Sequence, residues 1–136
     1  MGRLLAIDYG RKRTGIAVTD ALRIIATPLD TVMTTDLLAF LKTYCQKETV
    51  DAFVVGMPKT LKNEDSEIAP LVRLFVEELK KLFPDKPVHL ADERFTSSMA
   101  MQAMIDGGMK KKDRQVKGNV DKISATIILQ SFLEQR

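Results

Sequence analysis

The stretch LLAIDYGRKRTGIAVTD, from Leu4 to Asp20, decides how the chain begins to fold. Its first apolar run ends at Asp8, a turn with Gly10 and three basic residues follows, and a second apolar run extends from Gly15 to Val18. Short apolar runs bounded by turn residues are typical of buried β-strands. The stretch therefore predicts two strands joined by a basic turn, with an acid just past the end of the first strand.

The sequence beyond this stretch predicts an α/β fold. Residues 23–32 favour a strand, and Pro28 within them is typical of an edge strand or a bulge, so the first three strands form an antiparallel meander. Helical spacing and short apolar runs then alternate, and Thr34–Asp36 is a plausible N-cap region for the first helix. The predicted helices are Leu37–Cys45, Ile68–Phe83, Thr96–Ile105 and Val120–Leu133, and the later strands are Phe53–Val55 and Val88–Ala91.

This order, β-β-β-α-β-α-β-α-α, predicts a five-stranded mixed sheet in which an antiparallel meander is followed by parallel strands, with helices on both faces. Residues 109–119 are expected to form a basic loop before the last helix. In that helix Ile123, Ile127 and Phe132 are expected to be among the buried residues.

The bulk composition indicates one globular domain over residues 1–136. The chain is 45% hydrophobic and 29% charged, and it is long enough to bury a core without disulfides. Its one cysteine, Cys45, falls in an apolar-periodic stretch and is expected to be a core residue. No apolar run approaches the ~20 residues that span a bilayer, which predicts a cytoplasmic protein that does not contact membranes.

Acidic residues lie where predicted strands end and where the last helix begins. Asp8 follows the first strand, Asp92 and Glu93 follow the fifth, and Asp121 opens the final helix. Three convergent carboxylates repel unless a cation neutralises them, and Mg²⁺ or Mn²⁺ prefers such oxygen ligands. Two ions ~3.5–4 Å apart can drive phosphodiester hydrolysis. The alternative is that Asp8 is a turn residue and Asp121 a helix cap.

Basic residues are concentrated in two places, although the net charge is only +3. One cluster is Arg11, Lys12 and Arg13, and the other is Lys110, Lys111, Lys112, Arg114 and Lys117. Such clusters can contact a nucleic-acid backbone or can be solvated loops. The turn at Gly10 could also hold a phosphate, but it lacks the Walker A pattern and a strand follows it. His89 is either a catalytic participant near Glu93 or an ordinary strand residue.

Four blocks of the sequence resemble the YqgF / RuvX family. The first is DYGRKRTGIAVTD from Asp8, the second is Gly56-Met57-Pro58, the third is DERFT from Asp92, and the fourth is DKISA from Asp121, followed by Ile128-Leu129-Gln130. They occur in the family's order and span nearly the whole chain.

The resemblance implies an RNase H-like fold and a nuclease acting on structured RNA or branched DNA. In the family this role is described as maturation of the small-subunit (16S) ribosomal RNA precursor, or as Holliday-junction resolution. By position, Asp8, Glu93 and Asp121 would be the catalytic and metal-binding acids, with Asp92 adjacent and Arg94 a nearby cation. One or two Mg²⁺ or Mn²⁺ ions and ribosomal precursor particles are the implied partners, for a monomer or a homodimer.

Two departures and two alternatives accompany this resemblance. The loop at residues 59–67 is more acidic than the family's turn, and Ser124-Ala125 replaces the usual pair of alanines. A binding module that grips RNA, the ribosome or the transcription machinery without cutting would use the same basic residues. A phosphate-handling enzyme related to sugar kinases or ATPases usually needs two such domains, and this chain has room for one.

Overall fold

The computed structural model describes residues 2–57, 68–92 and 117–134, which contain five strands and three helices. The elements are β1 Arg3–Asp8, β2 Arg13–Thr19, β3 Ala26–Met33, α1 Leu37–Lys47, β4 Val50–Met57, α2 Ala69–Leu82, β5 Val88–Asp92 and α3 Lys117–Glu134. A short 3-10 turn, Thr34–Asp36, leads into α1. Among these described helices, none has the length and apolar character that crossing a membrane requires.

The five strands form one mixed sheet in the order β3-β2-β1-β4-β5. The first three strands are an antiparallel meander, whereas β4 runs parallel to β1 and β5 runs parallel to β4. Parallel neighbours need crossover connections, and α1 and α2 lie in those connections. The predicted mixed sheet is confirmed, and β1 is the strand at which its antiparallel and parallel parts meet.

Alternate residues of β1 face two separate hydrophobic layers. Leu5 and Ile7 pack in the layer that contains α1 and α2, and Leu4 and Ala6 pack in the layer that contains α3. This alternation follows from the two-residue period of a strand. The prediction of helices on both faces is confirmed.

The layer beneath α3 is built from small side chains. Ala6, Ala17 and Ala52 of the sheet cluster with Ala125 of the helix, and Ser124 is buried beside it. The expectation that Ile123 and Ile127 are buried is wrong, because both are only half-buried. Small residues let a helix and a sheet approach closely, so the helix turns its small residues inward together with Ile128 and Leu129.

The third strand is both an edge strand and a bulged one, as Pro28 predicted. Ile16 pairs with Asp30 and Ala17 pairs with Pro28, which leaves Leu29 as the extra residue on β3. Proline cannot donate a hydrogen bond to a neighbouring strand, and among the described strands β3 pairs with β2 alone.

Three predicted boundaries are corrected by the structure. β3 begins at Ala26, because the Asp20 side chain accepts the N–H groups of Ile24 and Ile25 and holds them in a turn. α3 begins at Lys117, so residues 117–119 are helical and Asp121 is the fifth helical residue rather than the first. Asp36 precedes α1 without a side-chain capping bond. The predicted helix Thr96–Ile105 and the loop at residues 59–67 lie outside the described residues.

Candidate active site

Asp8 is the last residue of β1, at the edge of the sheet where the parallel strands end. The residue was expected just past the strand, but it still pairs with Gly15 of β2. It is half-buried. Because it follows Leu4 and Ala6 at intervals of two residues along the strand, its side chain is on the same face of the sheet, which α3 covers. The backbone of the central strand therefore fixes this carboxylate.

Glycines flank Asp8 on both neighbouring strands. Gly15 is its direct partner on β2, and Gly56 follows Val55, the partner of Ile7 on β4. Cross-strand partners project to the same face, so neither flanking strand places a side chain beside the carboxylate. The sequence alone did not reveal this arrangement, because only the strand register shows that both glycines adjoin Asp8.

The end of β5 lies at the same edge of the sheet. Met57 pairs with Asp92 in the parallel ladder, and β4 alone separates β5 from β1. Two strand spacings correspond to ~10 Å between the backbones of Asp8 and Asp92. Glu93 and Arg94 lie outside the described residues.

Asp121 lies in the second turn of α3, four residues before the buried Ala125. At the other end of the helix, the Phe132 ring lies 5.1 Å from the ring of His89, which is near the start of β5. Asp121 precedes Phe132 by eleven residues, or ~16 Å of helix, so its backbone is well removed from that end of β5.

The turn after Asp8 is held against α2 and the 3-10 turn. The ring of Tyr9 stacks on that of Phe75 with centroids 5.0 Å apart. At Gly10 any β-carbon would collide with the carbonyl oxygen of Arg13, so only glycine fits. The Thr34 N–H donates to the Lys12 carbonyl over 2.9 Å.

A closed set of hydrogen bonds satisfies both backbone groups of Gly10. The Thr34 hydroxyl donates to the Gly10 carbonyl over 2.6 Å, and the Gly10 N–H donates to the Thr14 hydroxyl over 3.5 Å. The two hydroxyl oxygens are 2.9 Å apart. Since the one proton of Thr34 goes to Gly10, Thr14 must donate to Thr34. This threonine ring fixes the turn that carries the first basic cluster.

The structure places Arg11 and Lys12 on the exposed surface of that turn. Arg13 is the first residue of β2, is half-buried and already has an interaction partner. Lys117, expected in a loop, is the first residue of α3. The other predicted nucleic-acid contacts, Lys110, Lys111, Lys112 and Arg114, lie outside the described residues.

The surroundings of His89 and Cys45, the two other residues singled out in the sequence, indicate structural roles. His89 is exposed and contacts Phe132, and it lies three residues before the end of β5. Cys45 is half-buried against the α1–α2 layer, and burial raises the pKa of its thiol while the charge of Lys86 opposes that shift. A thiol with a raised pKa is a poor nucleophile, in agreement with a packing role.

A groove of about 540 Å³ lies between α2 and β5 and is lined by Met57, Arg73, Leu74 and Leu90 among others. Met57 and Val76 of its wall belong to the α1–α2 layer, so the groove is on the other face of the sheet from Asp8. Strand topology, rather than groove size, therefore locates the candidate site.

The donor set of the site suits a hard divalent cation. Asp8 offers carboxylate oxygens, which Mg²⁺ and Mn²⁺ prefer, and its neighbours on both flanking strands are glycines. Within residues 2–57, 68–92 and 117–134, no three His, Cys, Asp or Glu side chains converge. The side chains of Glu93 and Asp121 are not among those described, so the triad stays a prediction.

The sheet topology, with Asp8 at the end of the central strand, defines the class of fold, which is RNase H-like. Fowlpox virus resolvase, solved with Holliday junction DNA, superposes with a TM-score of 0.60 over 98% of this chain and 97% of that chain, at 11% identity. RuvC of T. thermophilus, solved with a Holliday junction substrate, superposes with a TM-score of 0.56 over 99% and 96%, at 16% identity. At such identities the likeness establishes the fold alone.

Sequence comparison then identifies the family. The RuvX family model, described as Holliday junction resolvase, matches residues 2–135. A protein of Phocaeicola vulgatus named "Putative pre-16S rRNA nuclease" is 58% identical over 136 residues, covering 100% of this chain and 98% of that protein. A protein of the same name from Flavobacterium johnsoniae is 52% identical over 136 residues, covering 100% and 99%. The chain belongs to the RuvX family.

Proposed function

We propose that this chain is a divalent-metal-dependent endonuclease that processes the precursor of small-subunit ribosomal RNA in the cytoplasm. Its acidic site consists of Asp8, Glu93 and Asp121, which bind Mg²⁺ or Mn²⁺. The observation that carries the proposal is the match, end to end, to relatives named as pre-16S rRNA nucleases at up to 58% identity. Asp8 at the edge of an RNase H-like sheet supplies the matching chemistry.

The described part of β5 supports Glu93 rather than Asp92 as the second acid. His89 contacts α3 and Ala91 packs in the α3 layer, on the side of the sheet that Asp8 faces. Glu93 continues this odd-numbered series in the sequence, and the two-residue period of a strand therefore favours it as the second acid. For the third acid, Asp121 lies one helical turn before Ala125, which is fully buried against that same face.

The chemistry of the site would be hydrolysis of a phosphodiester bond. Hard cations bound by such carboxylates make water a nucleophile at neutral pH and stabilise the charge on the leaving oxygen. Asp8 would hold its ligand oxygen in place without rearrangement, because it belongs to the central strand. Arg11 and Lys12, exposed on the fixed turn next to Asp8, would bind phosphates of the substrate backbone.

Cleavage assays with an Asp8→Asn variant test the proposal. The substrates would be a ribosomal RNA precursor leader, a four-way DNA junction, and plain duplex and single strands, each with Mg²⁺, Mn²⁺ or a chelator. We expect cutting of the leader that requires metal and is lost in Asp8→Asn, while RNA binding is retained. Asp30→Asn, on the edge strand β3, is the matched control and should cut normally.

Wild-type cleavage by Asp8→Asn would contradict the assigned site. Salt-sensitive RNA binding without cleavage by any variant would instead favour a non-catalytic binding module.

Branched DNA is the second candidate substrate, because the RuvX family model is described as Holliday junction resolvase. A resolvase has two strands to cut in one junction, so this candidate requires a homodimer. Preferential, paired cutting of the four-way junction in the same assay would favour it over RNA processing.

A further inference from the structure

Thr34 holds the turn after Asp8 at two points. Its hydroxyl donates to the Gly10 carbonyl over 2.6 Å, and its N–H donates to the Lys12 carbonyl over 2.9 Å. The first carbonyl immediately precedes Arg11, and the second belongs to Lys12 itself. The two hydrogen bonds therefore flank the pair of exposed cations, although Thr34 is 24 positions beyond Gly10 in the chain.

The hydroxyl of Thr34 serves this turn rather than the helix that follows it. A threonine at the start of a helix ordinarily caps it by accepting a backbone N–H. Here the one hydroxyl proton goes to the Gly10 carbonyl, and the oxygen accepts the proton of Thr14, which is fully buried. Neither residue at the N-cap positions, Met33 or Asp36, makes a side-chain capping bond.

The other side of Thr34 is anchored in the core. The Leu37 N–H donates to the Thr34 carbonyl, and Leu37 and Leu41 of α1 are 1% and 0% exposed. Immediately before Thr34, Met33 pairs with Arg13 in the β2–β3 ladder. Thr34 therefore links a packed helix and a paired strand to the turn, and its own position does not depend on the turn alone.

Hydrogen bonds must hold the first part of the turn, because little else does. Only glycine fits at position 10, where a β-carbon would collide with the Arg13 carbonyl oxygen, and glycine has the greatest backbone freedom of all residues. Arg11 and Lys12 are exposed, so packing of their side chains contributes little to the shape of the turn. The Thr34 hydroxyl therefore restricts the residue that otherwise gives the turn its freedom.

We propose that Thr34 is a positioning residue for the RNA backbone, and that its hydroxyl keeps Arg11 and Lys12 in the arrangement in which they bind phosphates. A segment that is ordered before binding loses less conformational entropy when its ligand binds, so preorganisation strengthens binding. This inference rests on the proposed function, because it requires that the turn contacts RNA. It adds a residue of the β3–α1 connection to the determinants of RNA affinity.

Thr34→Val tests the hydroxyl by itself. Valine has the size of threonine and keeps the N–H that donates to Lys12, but it cannot donate to Gly10. We expect this variant to bind the precursor leader about fivefold more weakly in filter binding, under conditions in which urea unfolding shows that every variant is folded. Thr34→Ser should bind as the wild type does, and Thr35→Val, at the exposed neighbouring position, is the matched control.

A double-mutant cycle separates positioning from general destabilisation. On the Arg11→Ala/Lys12→Ala background, Thr34→Val should weaken RNA binding by less than about twofold, because no cations remain to be positioned. In cleavage assays Thr34→Val should raise KM about fivefold and leave kcat within about twofold, since the strands on either side of β1 hold Asp8.

Equal RNA affinity of Thr34→Val and the wild type would overturn the inference, as would an equal loss on both backgrounds or a serine variant as weak as the valine variant. So would wild-type RNA affinity of Arg11→Ala/Lys12→Ala, because the turn would then make no contact with RNA. If Thr34→Val does not fold, Thr34→Ala takes its place with the same expectation, since water can reach this half-buried position. If the wild type binds RNA but cuts none, the proposed nuclease function fails, and the binding cycle still tests Thr34.

Discussion

At the scale of single residues, the threonine ring around Gly10 shows how a buried polar group determines the shape of a turn. Thr14 is fully buried, so its hydroxyl must find partners inside the protein. It has two, the Gly10 N–H and the Thr34 hydroxyl. Because each bond orients the next, we expect the loss of one member to affect the whole ring.

Thr34→Val should lower the free energy of unfolding by about 1–3 kcal/mol, because it leaves the buried Thr14 hydroxyl without an acceptor. Valine has the size of threonine, so the change tests the hydroxyl rather than packing. Urea unfolding measures the effect. Thr35→Val, at the exposed neighbouring position, is the control and should change stability by less than ~0.5 kcal/mol.

Thr34→Ser restores the hydroxyl and should recover most of that stability. If the serine variant were as unstable as the valine variant, methyl packing rather than the ring would be the source of the effect.

Ser124 carries a second buried hydroxyl, and we expect that its removal stabilises the protein. Its side chain is only 1% exposed, and its oxygen has no hydrogen-bond partner within residues 2–57, 68–92 and 117–134. Ser124→Ala removes this unsatisfied group and should raise the free energy of unfolding by about 1 kcal/mol. Thr126→Ala, which removes a bond to the Lys122 carbonyl, is the control and should not stabilise the protein. A lower urea midpoint for Ser124→Ala would show that the hydroxyl is satisfied in solution.

Some features of the candidate site could be predicted from sequence and others could not. Asp8 and the need for Gly10 follow from a local pattern, an apolar run that stops at an acid and a turn. The partnership of Thr14 with Thr34 joins residues that are 20 positions apart, and it depends on how β3 returns beside β2. The position of Gly15 and Gly56 on either side of Asp8 likewise follows only from the strand register.

At the scale of elements, local periodicity predicted all five strands and the three described helices, but tertiary contacts set their ends. β3 starts at Ala26 because the carboxylate of Asp20, six residues earlier, accepts the N–H groups of Ile24 and Ile25 and holds them in a turn. The buried side of α3 was predicted incorrectly because hydrophobicity pointed to Ile123 and Ile127. The alanines of the opposing sheet favour Ser124 and Ala125 instead.

The stability that the carboxylates of Asp20 and Asp51 contribute around the β2–β3 turn should depend on pH. Hydrogen bonds from the Ile25 N–H to Asp20 and from the Gly2 N–H to Asp51 hold the pKa of each carboxyl below its usual 3.8. A lowered folded-state pKa contributes stability that is present above the unfolded value and is lost as the pH falls through the folded value. Asp51→Asn should therefore be less stable than the wild type at about pH 6, and the difference should shrink as the pH falls below the usual carboxyl pKa of 3.8.

Urea unfolding across that range measures the difference between the two proteins. If the difference in free energy of unfolding stayed constant with pH, the ionised carboxylate of Asp51 would contribute nothing beyond the hydrogen bonds that an amide can make.

At the scale of the whole molecule, the sheet separates two kinds of surface. The end of the sheet with Asp8 carries a fixed turn with exposed Arg11 and Lys12, whereas the turn at the opposite end exposes Leu22, Ile24 and Ile25. The net charge of +3 is too small to direct a polyanion by itself, so the placement of cations beside Asp8 should decide where RNA binds.

Neutralising the cations beside Asp8 should change the salt dependence of RNA binding, as well as its strength. Each phosphate contact contributes roughly 0.7–0.9 to the slope of log affinity against log salt, so Arg11→Ala/Lys12→Ala should reduce that slope by roughly 1.4–1.8. Filter binding of the precursor leader at several salt concentrations measures it. Lys42→Ala/Lys47→Ala removes two exposed charges of α1, and Lys47 lies at the far end of that helix from the Gly10 turn. If both double variants reduced the slope equally, RNA would respond to overall charge, and the turn after Asp8 would have no special part in binding.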